Sequence, residues 1–201
     1  MLNPIAIVID KPTQNEFFLT KINKWKNPTN FMKLQFGCGK DKRKGFLNCD
    51  ISPEVNPDKI VDITKKLPFQ DNSVDEIIMN HVLEHTQKPI EVLKEIYRVC
   101  KNNAIVRIRV PYFSSESAFS QIDHYSFFSL TTFDCLDRNH QGYWQGVGNF
   151  KTIKKKLVWR KQLKLFEWVF GIHPKITRVY QELFCWIFPA KELQIELKVI
   201  K

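Results

Sequence analysis

Residues able to do chemistry gather in two parts of this chain. In the first, the apolar run Leu34-Gln35-Phe36 closes on Gly37-Cys38-Gly39. Glycine tolerates backbone angles and close approaches that a side chain blocks, so such a run can turn sharply and leave the amides of Gly37, Cys38 and Gly39 facing a ligand. Asp50 ends the next apolar run, where a carboxylate can accept hydrogen bonds from two ribose hydroxyls. Asp62 repeats that arrangement after Ile60-Val61. Each of these has a plain alternative: Gly-x-Gly as an ordinary turn, and Asp62-Ile63-Thr64 as a turn start. In the second part, His81, Glu84 and His85 follow another apolar run, and Asp123-His124 sits among Tyr112, Phe113, Phe119, Tyr125, Phe127, Phe128, Phe133, Tyr143 and Trp144. A histidine titrates near neutral pH, which suits it to take a proton from a nucleophile. His124 is the first choice for that duty, with pinning of its loop as the alternative. His81 and His85, four residues apart, would share a helix face as metal ligands do, but a third ligand is missing, and no metal is expected.

The elements that must hold these residues alternate along the chain. Strands are expected over 33–36, 46–50, 59–62, 75–80 and 104–110, with a helix over 88–101. Ile90, Leu93, Ile96, Tyr97 and Cys100 recur at helical spacing there, between the start signals Thr86 and Pro89 and the stop signal Asn102. Leu193, Ile195, Leu197 and Val199 alternate with polar residues as in a half-buried strand. Two further helical segments pair aromatics with lysines, Lys161 to Phe170 and Ile176 to Phe188. This alternation implies an α/β fold with a doubly wound, mostly parallel sheet whose ligands sit at the carboxyl ends of the strands. Residues 1–31 form an N-terminal extension, strand-like at Ile5–Ile9 and partly helical around Phe17 to Trp25.

Read in order, the Gly37-Cys38-Gly39 turn, Asn48-Cys49-Asp50-Ile51, Ile60-Val61-Asp62-Ile63, Leu67-Pro68-Phe69-Gln70-Asp71-Asn72-Ser73-Val74-Asp75 and His81-Val82-Leu83-Glu84-His85 resemble the class I S-adenosylmethionine-dependent methyltransferases, especially the type 11 group. The resemblance runs from Leu34 to Pro111. It implies a Rossmann-like seven-stranded sheet with an antiparallel last strand beside the fifth, S-adenosylmethionine as cofactor, and a methyltransferase domain over 32–201. By the same resemblance the cofactor touches Phe36, Gly37, Cys38, Gly39, Asp50, Ile51, Asp62, Ile63 and Asn80, with Asp62 and Ile63 at the adenine. His124 and His81 are then the catalytic choices, and residues 113–150 form a substrate lid. The Gly45-Phe46-Leu47-Asn48-Cys49-Asp50 pattern matches the subset with a shortened link to the second strand. Gly39 and Asp50 are 11 residues apart, against about 20 in dinucleotide dehydrogenases. Three positions depart from the pattern: Gln35 replaces an acid expected near the cofactor ammonium, Asp41 replaces a third glycine, and Asn102-Asn103 replaces Gly-Gly.

Composition narrows the setting. Five cysteines (38, 49, 100, 135 and 185), spread without a Cys-x-x-Cys, read as reduced thiols in a cytoplasmic protein. No apolar run reaches membrane-span length. The net charge is +10, and residues 151–201 hold 12 Lys/Arg against 4 Glu. Those lysines read first as solvated surface and second as attraction to nucleic acid or an anionic membrane. The acceptor expected is an O or N atom of a small molecule, with a sugar or lipid-linked sugar as first choice. RNA methylation and a non-catalytic scaffold role are the alternatives.

Overall fold

The computed structural model describes residues 31–143, 146–171 and 174–201. The expected strand and helix within residues 1–30 lie outside these. From Met32 onward, seven strands form one sheet in the order β3-β2-β1-β4-β5-β7-β6. They are β1 (Lys33–Phe36), β2 (Leu47–Asp50), β3 (Lys59–Ile60), β4 (Val74–Asn80), β5 (Cys100–Pro111), β6 (Asn149–Val158) and β7 (Glu192–Ile200). Strands β1 to β5 pair in parallel, whereas β7 lies antiparallel between β5 and β6. The last strand therefore sits beside the fifth, as expected.

The single crossover helix of the parallel half is α1 (Pro89–Val99), which opens on proline and buries Val92, Leu93, Ile96 and Val99. Proline suits a first helical turn because its missing N–H would have no partner there. Arg98 near its end reaches back to the carbonyls of Leu67 (2.9 Å) and Phe69 (3.0 Å) and to Asp71 (2.5 Å). That clamp accounts for the Leu67-to-Asp75 motif: its carbonyls need a donor, and Phe69 is left packing edge-on to Phe36 at 6.3 Å.

Several boundaries move. Strand β3 is two residues long, not four, because Asp62 turns the chain. Strand β5 starts at Cys100 rather than residue 104, with Asn103 at φ 67 absorbing a register shift against β4. The segment expected as a lid over 113–150 stops at 148, since Asn149 and Phe150 already belong to β6. The segment expected as a helix from Lys161 becomes a 3₁₀ turn followed by α2 (Lys164–Gly171). The segment after it is α3 (Pro174–Val179) continued by a π-helical turn, Tyr180–Phe184.

Strand β6 was not expected from its residues. It is the lysine-rich edge of the sheet, burying Phe150 and Leu157 while Lys151, Lys154 and Lys156 line its margin. Lysines on an edge strand block pairing with another chain. Lys154, Lys155 and Lys156 also pair with Glu196, Asp134 and Glu167. Much of the basic last quarter is thus edge protection and intramolecular pairing. The alternation of β7 has a similar cause. Leu193, Ile195, Leu197 and Val199 are buried, and the other face carries an ion-pair ladder running Lys33–Glu76–Arg107–Glu196–Lys154.

Candidate functional site

The carboxyl ends of β1, β2, β4 and β5 bring the sequence-expected residues to one edge of the sheet. The turn after β1 is shaped by Gly37, at φ 60, where a Cβ would stand 2.3 Å from Val82 Cγ2. Any larger residue would push the β1 loop off the β4 loop. His81, at φ 54, turns the chain sharply after β4 and donates its amide to Arg109 O at 2.8 Å.

The short β1–β2 link contains no helix, and two buried amides hold it instead. Gln35, 2 % exposed, donates to Asp41 O (2.9 Å) and accepts from the Arg43 amide (3.2 Å). Asn48 accepts from the same Arg43 amide (2.8 Å) and donates to Phe46 O (3.0 Å) and Asp58 Oδ2 (2.8 Å). The Gln35 departure is therefore structural: its amide closes the loop, a task one carboxylate could not do because it lacks a donor. The Asn of the Gly-Phe-Leu-Asn-x-Asp pattern has the same task, which no spacing argument disclosed.

This tethering corrects one expectation. The Cys38 amide donates to Cys49 O (3.1 Å) and the Gly39 amide to Asp50 Oδ2 (2.8 Å), so both bind the loop to β2 rather than facing a ligand. Without a helix after β1, β2 is the nearest source of acceptors. Cys38 and Phe36 are buried, so their side chains belong to the core, and burial pushes the Cys38 thiol up. Asp50 accepts one backbone N–H on each oxygen, from Gly39 and from Ser52 (3.0 Å). A carboxylate oxygen has two lone pairs, so Asp50 keeps capacity for two ribose hydroxyls. Ile51 beside it is 64 % exposed, an apolar side chain left open at a strand end. Asp62 Oδ1 caps its own turn through the Thr64 amide (2.9 Å) and hydroxyl (2.6 Å), which hold its carboxyl below the usual range. Its Oδ2 is left with exposed Lys65 at 3.4 Å. Ile63 is half-buried and Asn80 is the half-buried last residue of β4. These features fit a nucleoside at the Asp50–Ile51 end.

The second group sits one loop further along the sheet edge. His81 Nδ1 lies 3.1 Å from Glu84 Oε1 and Nε2 lies 3.7 Å from Glu192 Oε1. Glu192 and Glu84 together hold the imidazole up to about 9, against the opposing effect of burial, and by distance Glu84 is the stronger partner. Glu192 in turn is held down at about 2 by His81 and Lys191. A protonated imidazole has no lone pair, so at neutral pH His81 orients its neighbours and cannot accept a proton. His124 differs. Its Nδ1 lies 3.0 Å from Ala118 O, an acceptor only, so in the neutral ring Nδ1 carries the proton and Nε2 the lone pair. His85 Nδ1 faces Asp123 Oδ2 at 3.0 Å, and the same logic leaves its Nε2 a lone pair. The two rings meet edge-on, 4.7 Å between centroids. The segment after β5 and the β4 loop are joined there, because the Tyr125 (2.8 Å) and Ser126 (3.2 Å) amides both donate to Glu84 O.

The lid aromatics divide by role. Tyr112, Phe128 and Phe133 are buried, whereas Phe119, Tyr125 and Phe127 are exposed, with Phe119 and Phe127 stacked at 4.8 Å. Trp144 lies outside the described residues. Farther along the sheet, the end of β6, α2 and Leu130 enclose a cleft of about 740 Å³ lined by Lys154, Lys156, Lys164, Trp159 and Trp168. Leu165 and Val169 of α2, Val179 of α3, Leu183 of the π-helical turn, and Trp186 and Ile187 just after it are exposed. Among the described residues no helix is long and apolar enough to cross a membrane.

Comparison with known proteins bears on this arrangement. Residues 34–108 match the family described as Methyltransferase domain. A search of curated protein sequences found no significant match. Solved structures are similar in fold. A SAM-dependent methyltransferase from Archaeoglobus fulgidus aligns with a TM-score of 0.58 at 15 % identity, over 92 % of this chain and 94 % of that one. A complex of the Haloferax volcanii Trm112 methyltransferase activator with a candidate methyltransferase aligns at 0.56 and 14 %, over 94 % and 95 %. The [4+2]-cyclase SpnF aligns at 0.54 and 12 %, over 98 % and 86 %.

Proposed function

We infer that this chain, a class I S-adenosylmethionine-dependent methyltransferase by its 34–108 segment and its fold, transfers a methyl group to an O or N atom of a small molecule. What supports this reading is that the β4 loop meets the Gly37 turn through Val82 and is bonded to the His124 segment through Glu84 O. Asp50 would hold the ribose hydroxyls, with Ile51 against the base. Asp62 Oδ2, Ile63 and Asn80 complete that end. When bound, S-adenosylmethionine supplies a methyl carbon made electrophilic by its sulfonium sulfur. The protein's part is then alignment and proton removal, because methyl transfer is a direct displacement. His124 receives the acceptor's proton on Nε2, while Ala118 O holds its Nδ1–H and fixes the tautomer. His81 acts by position, keeping Glu84 and Glu192 in place across the site.

For the acceptor, a sugar or lipid-linked sugar suits the surroundings. The cleft offers the Lys164 charge to a phosphate and the exposed Trp168 ring to a sugar face, and the exposed apolar side chains of α2 and α3 offer cover to a lipid tail. The test is incubation with S-adenosylmethionine labelled in its methyl group and a panel of sugars, sugar phosphates and polyprenyl-linked sugars. Label in a product together with S-adenosylhomocysteine supports the reading. Label in RNA alone would redirect it to nucleic acid. A second reading, a binding subunit that does not catalyse, is favoured by the engaged Cys38 and Gly39 amides and by the neutral Gln35. It requires that no acceptor be methylated although the fold is intact.

A further inference from the structure

We propose that Glu84, His85 and His124 form a binding site for a divalent transition-metal ion between the β4 loop and the lid. One donor atom from each residue lies within 4.8 Å of the other two. The sequence offered only the His81/His85 pair, without a third ligand. In the fold both His81 nitrogens are taken up, by Glu84 Oε1 and Glu192, and the third ligand is His124, 39 residues beyond His85.

Three features point to an ion. Glu84 is 1 % exposed, and its Oε2 is buried with no hydrogen-bond partner among the described residues. A buried acceptor left so is destabilising, and a cation relieves it. In a neutral imidazole the acceptor facing each Nδ1 keeps the proton there and leaves the lone pair on Nε2, the form a metal needs. Each is oriented through Nδ1 by an acceptor, Asp123 for His85 and Ala118 O for His124, which is how metal-bound histidines are usually fixed. Finally, the backbone already holds the two segments together through Glu84 O and through Ser126 Oγ, which donates to Thr86 O at 3.2 Å. Closure from the present spacing to bonding distances near 2.0–2.2 Å asks for rotation of two half-buried rings, with Glu84 as the fixed point.

Two imidazoles and one carboxylate suit Zn²⁺, Fe²⁺, Co²⁺ or Mn²⁺, and leave coordination positions open. On the methyl-transfer reading, an acceptor hydroxyl bound there would be acidified by the ion and would pass its proton to solvent, His124 taking that proton only in the ion-free chain. Ion binding itself does not depend on that reading.

The test is calorimetric titration of Zn²⁺ into the full chain after chelation, with Co²⁺ absorption as a second readout. A single ion per chain is expected in the wild type. His85→Ala, His124→Ala and Glu84→Gln should each weaken binding by at least about 10-fold. His140→Ala, at an exposed histidine elsewhere in the lid, should leave it unchanged. Circular dichroism checks that each variant folds. Because Glu84 is buried, the two histidine variants carry the decision if Glu84→Gln unfolds. No ion in the wild type, or equal binding by the wild type and both histidine variants, overturns the site. A chain that takes Zn²⁺ in this way yet binds no S-adenosylmethionine upholds the site and overturns only methyl transfer.

Discussion

Gly37→Ala separates two physical costs at the centre of the site. Residue 37 sits at φ 60, where a non-glycine residue pays about 1–2 kcal/mol. The new Cβ would also stand 2.3 Å from Val82 Cγ2, well inside contact distance, and valine is stiff about its first torsion. Relief requires moving the β1 or the β4 loop, an overpacking cost of about 1–3 kcal/mol. The expected loss of stability is therefore about 2–5 kcal/mol, a large share of an ordinary domain's total. Urea denaturation of wild type, Gly37→Ala, Val82→Ala and the double variant resolves the two parts. Val82→Ala removes the overlap but not the backbone strain, so the double variant should regain about 1–3 kcal/mol over Gly37→Ala. A Gly37→Ala protein as stable as the wild type would refute the whole argument. A double variant no more stable than Gly37→Ala would refute the packing half.

Other outcomes follow from the same geometry. Gln35→Leu should destabilise by about 1–3 kcal/mol, read from the denaturation midpoint, because the Arg43 amide and Asp41 carbonyl lose a buried partner. Arg98→Ala should destabilise by a similar ~1–3 kcal/mol and loosen the Leu67–Asp71 loop, read as faster amide exchange there. His124→Ala should lower turnover by about 10²–10⁴-fold with cofactor affinity intact. A rise in KM with little change in turnover would mean that His124 only pins the lid. Binding to RNA should be weak near physiological salt, since Lys154, Lys155 and Lys156 are paired within the chain; tight binding with a steep salt slope would contradict this.

The parallel half of the fold was legible because its strands are buried and its punctuation is local. Ile77, Ile78 and Met79 of β4 are buried on both faces of the sheet, and Pro89 opens α1 by its missing N–H. Strand β6 was not legible, because an edge strand shielded by lysines has the composition of solvated surface. The candidate residues were legible in their strand-end positions and less so in their contacts. Asp50 and Gly37 stand where their types required, but nothing in the spacing disclosed that the Cys38 and Gly39 amides bond to β2 or that Gln35 and Asn48 replace a helix. Those bonds depend on which acceptors are nearby in space. The Glu84–His85–His124 cluster was hidden for the same reason, since its third member comes from the lid.

Calorimetry of the purified chain with S-adenosylmethionine and S-adenosylhomocysteine tests the central claim most directly. The account expects both to bind the wild type at one site per chain, and Asp50→Ala to weaken each by about 1–3 kcal/mol through lost ribose hydrogen bonds to a charged acceptor. Asp50→Asn, which keeps the shape and one acceptor oxygen, should lose less. A folded wild-type protein that binds neither ligand, or an Asp50→Ala variant with wild-type affinity for both, would contradict it.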